Sequence, residues 1–242
     1  MKPLKITLIG YGKMGQMLAE LAAVRGHLIH GIIDQAEDWE KYAEVLSTSD
    51  IAIDFSIPEA AVDNMIHCFN AALPVVVGTT GWYDRLEEVQ TMCSKAKAAL
   101  FYAPNFSVGM NAVFALNLSL SRMLNQFDYR FSMEERHHIH KLDAPSGTAI
   151  RLATDIIENS NSQREWKISE SQYLEEEVLP IKVVREGNIK GYHEVKAESK
   201  HEIIRLSHEA LSREAFAAGA LLAAEFLYGK TGVFTMKDLL KF

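Results

Sequence analysis

Cysteine is scarce: Cys68 and Cys93 are the two in 242 residues. They lie far apart, each in a helix-like stretch. A disulfide framework is therefore excluded as the organising principle, and reduced thiols in a cytosolic compartment are expected. No apolar run is long enough to span a bilayer. The N-terminus runs straight into a strand pattern, so no targeting segment is expected. Positive charge is in deficit, with 25 Lys plus Arg against 32 Asp plus Glu and a formal net charge of −7. This argues against general binding to nucleic acid or to an anionic membrane. It leaves room for a local basic pocket that takes an anionic substrate. Internal repeats and low-complexity tracts are also missing, which excludes solenoids and disordered tails. What is present is a chain with 48% hydrophobic residues, long enough for a substantial core and for one domain or two.

The first hundred residues alternate strand and helix. Lys5 to Ile9 is a short apolar run ending in glycine, and Met14, Met17, Leu18, Leu21 and Ala22 recur at helical spacing. His27 to Ile33, Ile51 to Phe55, Pro74 to Val77 and Ala99 to Ala103 read as further strands. Pro58 to Asn70 and Asp84 to Lys95 read as helices, the former with Pro in its first turn, where a missing N–H costs little. This pattern predicts a parallel, doubly wound sheet with helices on both faces. After Asn105 the pattern changes. Met110 to Asn125 is a long apolar helix. From Tyr129, buried-type residues (Phe131, Met133) alternate with polar ones (Arg130, Ser132, Glu134), as in an open sheet with one face covered. Val178 to Glu186, Gly191 to Glu198 and His201 to Ser207 continue in that style, so the second half is expected to be α+β with an open mixed or antiparallel sheet. Asn159 to Arg164 reads as a polar loop, and Glu175 to Glu177 as solvated surface. Arg213 to Tyr228 is an alanine-rich apolar helix better suited to packing back on the first domain. The expected division is residues 1–106 plus 213–242, with 107–212 between them in sequence.

Gly10-Tyr11-Gly12-Lys13-Met14-Gly15 is a complete G-x-G-x-x-G between a strand and a helix, and Asp34 closes the second strand nineteen residues after Gly15. In that context the glycines permit a tight turn and close approach of a pyrophosphate to the helix N-terminus, and the acid accepts hydrogen bonds from ribose hydroxyls. Gly78-Thr79-Thr80-Gly81 and Ala103-Pro104-Asn105-Phe106 each follow a strand, where ligands of open parallel sheets bind. Alone, the first is better explained as an ordinary strand-to-helix turn, and a simple linker is the alternative for the second.

The densest chemical signal is Glu135-Arg136-His137-His138-Ile139-His140-Lys141-Leu142-Asp143-Ala144-Pro145-Ser146-Gly147-Thr148. Three of nine histidines fall within four positions and a lysine follows. Crowded cations depress one another's pKa toward neutrality, where proton donors and acceptors are drawn from. The Asp-Ala-Pro-Ser-Gly-Thr that follows carries helix-start signals, and the free N–H groups there bind anions. A solvated loop and a metal site are the alternatives. The histidines lack the i, i+4 spacing of a zinc-protease motif, and neither cysteine is near. Arg185 to Glu194 is a glycine-bounded connection whose Arg185, Lys190 and His193 could reach an anion, although a plain hairpin explains its glycines as well.

Taken together these segments resemble the 4-hydroxy-tetrahydrodipicolinate reductase family, long called dihydrodipicolinate reductase, of bacterial lysine and diaminopimelate biosynthesis. The resemblance runs nearly end to end and includes Phe216-Ala217-Ala218-Gly219-Ala220 in the last helix. Its most specific part is the His-His-x-x-Lys-x-Asp-Ala-Pro-Ser-Gly-Thr pattern of His137 to Thr148. It implies a cytoplasmic homotetramer that reduces a cyclic unsaturated dicarboxylate by hydride transfer from NADH or NADPH, with net loss of water. It implies that His137 and Lys141 are the proton donors, that His138, Gly147 and Thr148 contact substrate, and that no metal takes part. Gly10 to Gly15, Asp34, Gly78 to Thr80 and Ala103 to Phe106 are implied to contact the cofactor. Two features depart from many relatives. Arg136 stands where alanine is common, and strand alternation leaves its direction open. Gln35, not arginine, follows Asp34, so NADH is the expected preference and NADPH a second choice. Rival readings are another two-domain amino-acid dehydrogenase, a non-catalytic dinucleotide sensor and a metal-dependent hydrolase. The first lacks the His137 to Thr148 pattern, and the second does not need His137 or Lys141.

Overall fold

The computed structural model describes residues 2–171 and 174–242. The chain forms two compact units, Met1–Val108 with Glu214–Phe242, and Gly109–Arg213. In sequence the second interrupts the first.

In the first unit the strands are β1 (Lys5–Ile9), β2 (Leu28–Ile33), β3 (Ile51–Asp54), β4 (Val75–Val77) and β5 (Ala99–Tyr102). Between them run the helices α1 (Lys13–Val24), α2 (Asp38–Lys41), α3 (Ala43–Ser47), α4 (Pro58–Asn70) and α5 (Leu86–Lys95). The strands pair in parallel in the order β5-β4-β3-β1-β2. Both faces of β1, β3, β4 and β5 are buried, so those strands read as near-continuous apolar runs. Ile51, Ile53 and Val76 point into one core with Leu18 and Ala22 of α1. Ala52, Val75 and Val77 point into another with Val62, Met65 and Phe69 of α4 and Val89 of α5. The order of strands reverses on either side of β1, and in open α/β sheets ligands bind at such a switch point, beyond the strands' carboxyl ends.

The second unit opens with α6 (Val108–Leu124). It continues with β6 (Arg130–His137), α7 (Gly147–Ile157), β7 (Glu165–Ile168), β8 (Val178–Arg185), β9 (Tyr192–Glu198) and β10 (Ile203–Glu209). The sheet order is β10-β9-β6-β8-β7. The sheet is mixed: β9 is antiparallel to both β6 and β10, whereas β6, β8 and β7 run in parallel. Its covered face packs Phe131, Met133, Ile181 and Val195 on Met110, Leu152 and Ile156. β7 has no counterpart in the sequence reading. It is a four-residue strand at the sheet's edge whose Glu165, Lys167 and Ile168 are exposed, too short for a period to register.

The chain then returns to the first unit as α8 (Glu214–Leu227), β11 (Gly232–Phe234) and α9 (Met236–Leu240). α8 buries Ala217, Ala220, Leu221, Ala224 and Leu227 in the core that α1 lines. β11 adds a sixth parallel strand beside β5, and a Thr235–Asp238 capping box starts α9. The sequence reading stops at Tyr228 and misses both elements, because three residues carry no readable alternation.

Candidate active site

In the first unit, the segments singled out from sequence follow the carboxyl ends of four parallel strands. Gly10 ends β1, Asp34 follows β2, Gly78 to Thr80 follow β4, and Ala103 to Phe106 follow β5. The glycines are sterically required. Gly10 has φ +83°, and a Cβ there would sit 2.5 Å from the Phe55 carbonyl oxygen; a Cβ on Gly15 would sit 2.3 Å from the Gly10 carbonyl oxygen. Gly12 differs. It is the N-cap residue of α1, where no side chain caps the helix, and a Cβ on it would meet nothing within 4 Å. An uncapped helix start with open space before it fits a pyrophosphate. The Tyr11 N–H donates to Asp34 Oδ1 at 2.7 Å, which ties the glycine turn to the acid. Lys13 and Met14 open α1.

Asp54 and Phe55, at and just after the end of β3, read from sequence only as strand, and they hold this region together. A Cβ on Gly78 would lie 2.2 Å from the Phe55 ring, and Phe55 packs on Phe106 at 5.8 Å between centroids. Asp54 is fully buried. It accepts hydrogen bonds from the Thr79 hydroxyl at 2.6 Å, the Ser56 hydroxyl and N–H, and the Asn64 amide. Burial pushes its carboxyl up, and these bonds oppose that shift. Asp54→Ala removes the shared acceptor of four donors, although the Ser56 N–H keeps Thr79 Oγ1 and the Asn64 amide keeps Ser56 Oγ. It should cost about 2–4 kcal/mol and lower the melting temperature by roughly 5–15 °C, which differential scanning fluorimetry reads. An unchanged melting temperature would show that Thr79 is held by other means.

In the second unit the catalytic candidates lie at one end of the sheet. Register places Glu135 opposite His193 and His137 opposite Arg185. Phe131, Met133, Glu135 and His137 share one face of β6, which is apolar along its first half and polar at its end. Arg136 takes the other face. It pairs with Glu134 and lies 5.3 Å over the Tyr192 ring, so its charge is directed away from His137. Ser146 is the N-cap of α7 and accepts from Ala149 N–H at 3.2 Å. Gly147 is exposed, Thr148 is half-buried, and a Cβ on Gly147 would meet nothing within 4 Å. The helix start thus has room for an anion.

Lys141 Nζ donates to Asp143 Oδ2 at 2.8 Å, while the Asp143 carbonyl oxygen accepts from Arg185 at 2.6 Å. Arg185 also donates to Glu135 at 2.9 Å. Burial pushes the His137 imidazole below its usual pKa, Lys141 and Arg185 add to that, and Glu135 opposes it. Burial also lowers His138, with Arg213 and His140 contributing. Both imidazoles move in the direction that crowding predicts, but desolvation is the larger cause. His140 faces solvent. Lys190 turns to Asn188 Oδ1 at 2.9 Å. A concavity of about 340 Å³ lined by Asp128, Arg130 and Lys200 lies around the opposite end of β6 and includes none of these groups.

Two family models cover almost all of the chain: dihydrodipicolinate reductase, N-terminus, over residues 4–106, and dihydrodipicolinate reductase, C-terminus, over residues 109–240. The chain belongs to the dihydrodipicolinate reductase family. A 4-hydroxy-tetrahydrodipicolinate reductase of Christiangramia forsetii is 44% identical over 238 residues, 98% of each chain. That of Methanopyrus kandleri is 37% identical over 201 residues, 81% of this chain and 73% of the relative. The fold is that of a dipicolinate-bound dihydrodipicolinate reductase from Paenisporosarcina sp. TG-14, with TM-score 0.72, 20% identity and coverage of 97% of this chain and 98% of the other. The C-terminal model runs through α8 to α9, whereas by contacts those elements pack in the first unit.

Sequence reasoning about the family signature takes in His137, His138 and Lys141 but passes over Glu135, and it treats His193 only as a loop cation. The signal for Glu135 is present: it stands two and four residues from His137 and Phe131, so strand alternation turns it inward with them. His193 lies 56 residues beyond His137, and only strand pairing brings it near.

Proposed function

We propose that this chain reduces 4-hydroxy-tetrahydrodipicolinate to tetrahydrodipicolinate, with a hydride from NADH or NADPH and net loss of water, in lysine and diaminopimelate biosynthesis. The observation that carries the reading is the second unit's combination of proton donors with an open helix start. His137 and Lys141 lie in one segment with the N-terminus of α7, where Gly147 leaves space for a carboxylate. Gly147, Thr148 and His138 bind the dicarboxylate. Lys141 and His137 stabilise negative charge that develops on the reduced ring and supply the proton. The glycine turn, Asp34, Gly78 to Thr80 and Ala103 to Phe106 hold the dinucleotide, which supplies the hydride when bound. Residues 1–106 with 213–242 form the cofactor domain, and 107–212 form the substrate and assembly domain of a cytoplasmic homotetramer. No helix among the described residues is long and apolar enough to cross a membrane. NADH oxidation with freshly generated substrate, insensitive to chelator, is the expected result. No turnover with that substrate overturns the reading.

NADH is the proposed preferred cofactor. Asp34 accepts from ribose hydroxyls, and with NADPH the same carboxylate faces a 2′-phosphate. A second carboxylate reinforces the repulsion: Asp38 accepts the N–H groups of Asp34 and Gln35 at 2.9 and 3.0 Å, and these bonds hold it below the usual carboxylate range. Gln35 offers no bidentate phosphate contact, as arginine would. Lys13 in the glycine turn and Lys41, whose Nζ lies 3.7 Å from Asp38 Oδ1, are cations that offset part of this. Such a partly solvated pair is worth about 1–2 kcal/mol, so kcat/KM should favour NADH by roughly five- to thirtyfold. Gln35→Arg should narrow that ratio. Equal use of NADPH by the parent, or no gain in Gln35→Arg, would refute it.

A further inference from the structure

Glu135 of β6 and His193 of β9 converge on His137. The buried Glu135 carboxylate has His137 Nδ1 at 3.6 Å and His193 Nδ1 at 4.0 Å, both measured to Oε2. Both Nδ1 atoms are buried and lack hydrogen-bond partners, and the two rings meet edge to face at 5.1 Å. The other side of the His137 ring is different. Its Nε2 is 3.4 Å from where a Cβ on residue 191 would stand, and residue 191 is glycine. The ring therefore has one nitrogen facing a sealed carboxylate and one facing a position without a side chain.

We propose that Glu135 is the positioning residue of the proton donor: its Oε2 holds a proton on His137 Nδ1, which leaves Nε2, on the Gly191 side, to exchange a proton with substrate. A neutral imidazole carries one N–H, and a neighbouring acceptor decides which nitrogen has it. Glu135 is the acceptor on the Nδ1 side, and no other carboxylate is paired with that nitrogen among the described residues. The carboxylate itself is fixed. Ser146 donates to it through both hydroxyl and N–H, and Arg185 donates to Oε1 at 2.9 Å. Burial acts to raise the Glu135 carboxyl, and the bonds from Ser146 and Arg185 outweigh it, so the group is an anion. His193 is driven down to about 3, chiefly by burial, and stands neutral. Because Ser146 also caps α7, one carboxylate ties the proton donor to the helix start that receives the substrate's carboxylate.

The same three residues bring ligand atoms within 4.8 Å of one another, as a metal site would. The charges favour the proton. Arg185 already lies against Glu135, and a divalent cation beside a guanidinium is repelled.

The inference rests on the reading of His137 as the proton donor, so the parent enzyme is assayed first. Glu135→Gln keeps the size and one of the two acceptor oxygens and removes the charge. It should lower kcat about tenfold or more with KM for substrate and NADH little changed. The high-pH limb of the kcat profile should move to lower pH, because the anion that favours protonated His137 is gone. An unchanged profile in an active variant overturns the proposal. Side-chain ¹⁵N shifts of histidine-labelled parent protein, assigned with His137→Gln, test it without any change at Glu135: a proton on Nδ1 is expected, and a proton on Nε2 alone refutes it. Activity lost to a chelator and restored by Zn²⁺ would refute it in favour of a metal. A parent that does not turn over the substrate overturns the functional reading, and the ¹⁵N result still decides the tautomer.

Discussion

Lys141→Ala and His137→Ala each lower turnover at saturating substrate on the order of a hundredfold or more, the loss expected for a positioned acid. Lys141 is held by geometry as well as by charge. Its Nζ is fixed on Asp143 at 2.8 Å, and its backbone N–H donates to the His138 carbonyl at 3.1 Å. The ammonium therefore has a defined place beside the start of α7. Alanine removes the cation and leaves Asp143 with Arg185 as its remaining cationic neighbour. His137→Ala removes the imidazole that Glu135 faces. In the parent, burial and the neighbouring cations depress His137. Its acid form is accordingly lost at a pH below that of an ordinary histidine, and a rate that depends on that acid falls as pH rises through the depressed value. The check is kcat for parent and variants across pH. Near-normal turnover in both variants would remove the proton-donor assignment.

Gly219→Ala should be the most damaging single-methyl change in the first unit. Gly219 is buried in α8, and a Cβ there would stand 1.8 Å from the Phe106 carbonyl oxygen and 2.8 Å from its carbonyl carbon. Both obstacles are backbone, so no side chain can swing away. Either α8 moves off the sheet, opening the core of Ala217, Ala220 and Leu221, or the segment at Phe106 shifts. Overpacking of this kind costs about 1–3 kcal/mol or more, which for a protein of this size lowers the melting temperature by roughly 3–12 °C. Phe106 packs at a tilt against Phe55, which fills the space beside Gly78, so NADH affinity should fall along with stability. A scanning-calorimetry trace and an NADH titration check the two effects. A variant as stable as the parent would show that α8 has room to move.

The two halves of the site differ in how far local pattern reveals them. Tyr11, Gly12 and Asp34 are legible because a dinucleotide fold demands glycine at fixed steps after a strand. Asp54 and Phe55 are not, since they resemble any residues at a strand end until β3 is seen between β1 and β4. Arg136 could face either way by alternation, and its pairing with Glu134 and its position over Tyr192 decide the matter.

By itself the sequence determined the alternation of strands and helices, the inward face of β6, the helix start at Ser146 and the family. Each of these is written in residues a few positions apart, where steric and hydrogen-bonding rules act directly. The tertiary structure alone decided that β11 extends the parallel sheet, that Gly219 sits against the Phe106 backbone, and that His193 and Arg185 lie beside His137. These contacts join residues far apart in sequence, and strand register and helix packing, which no local preference specifies, bring them together.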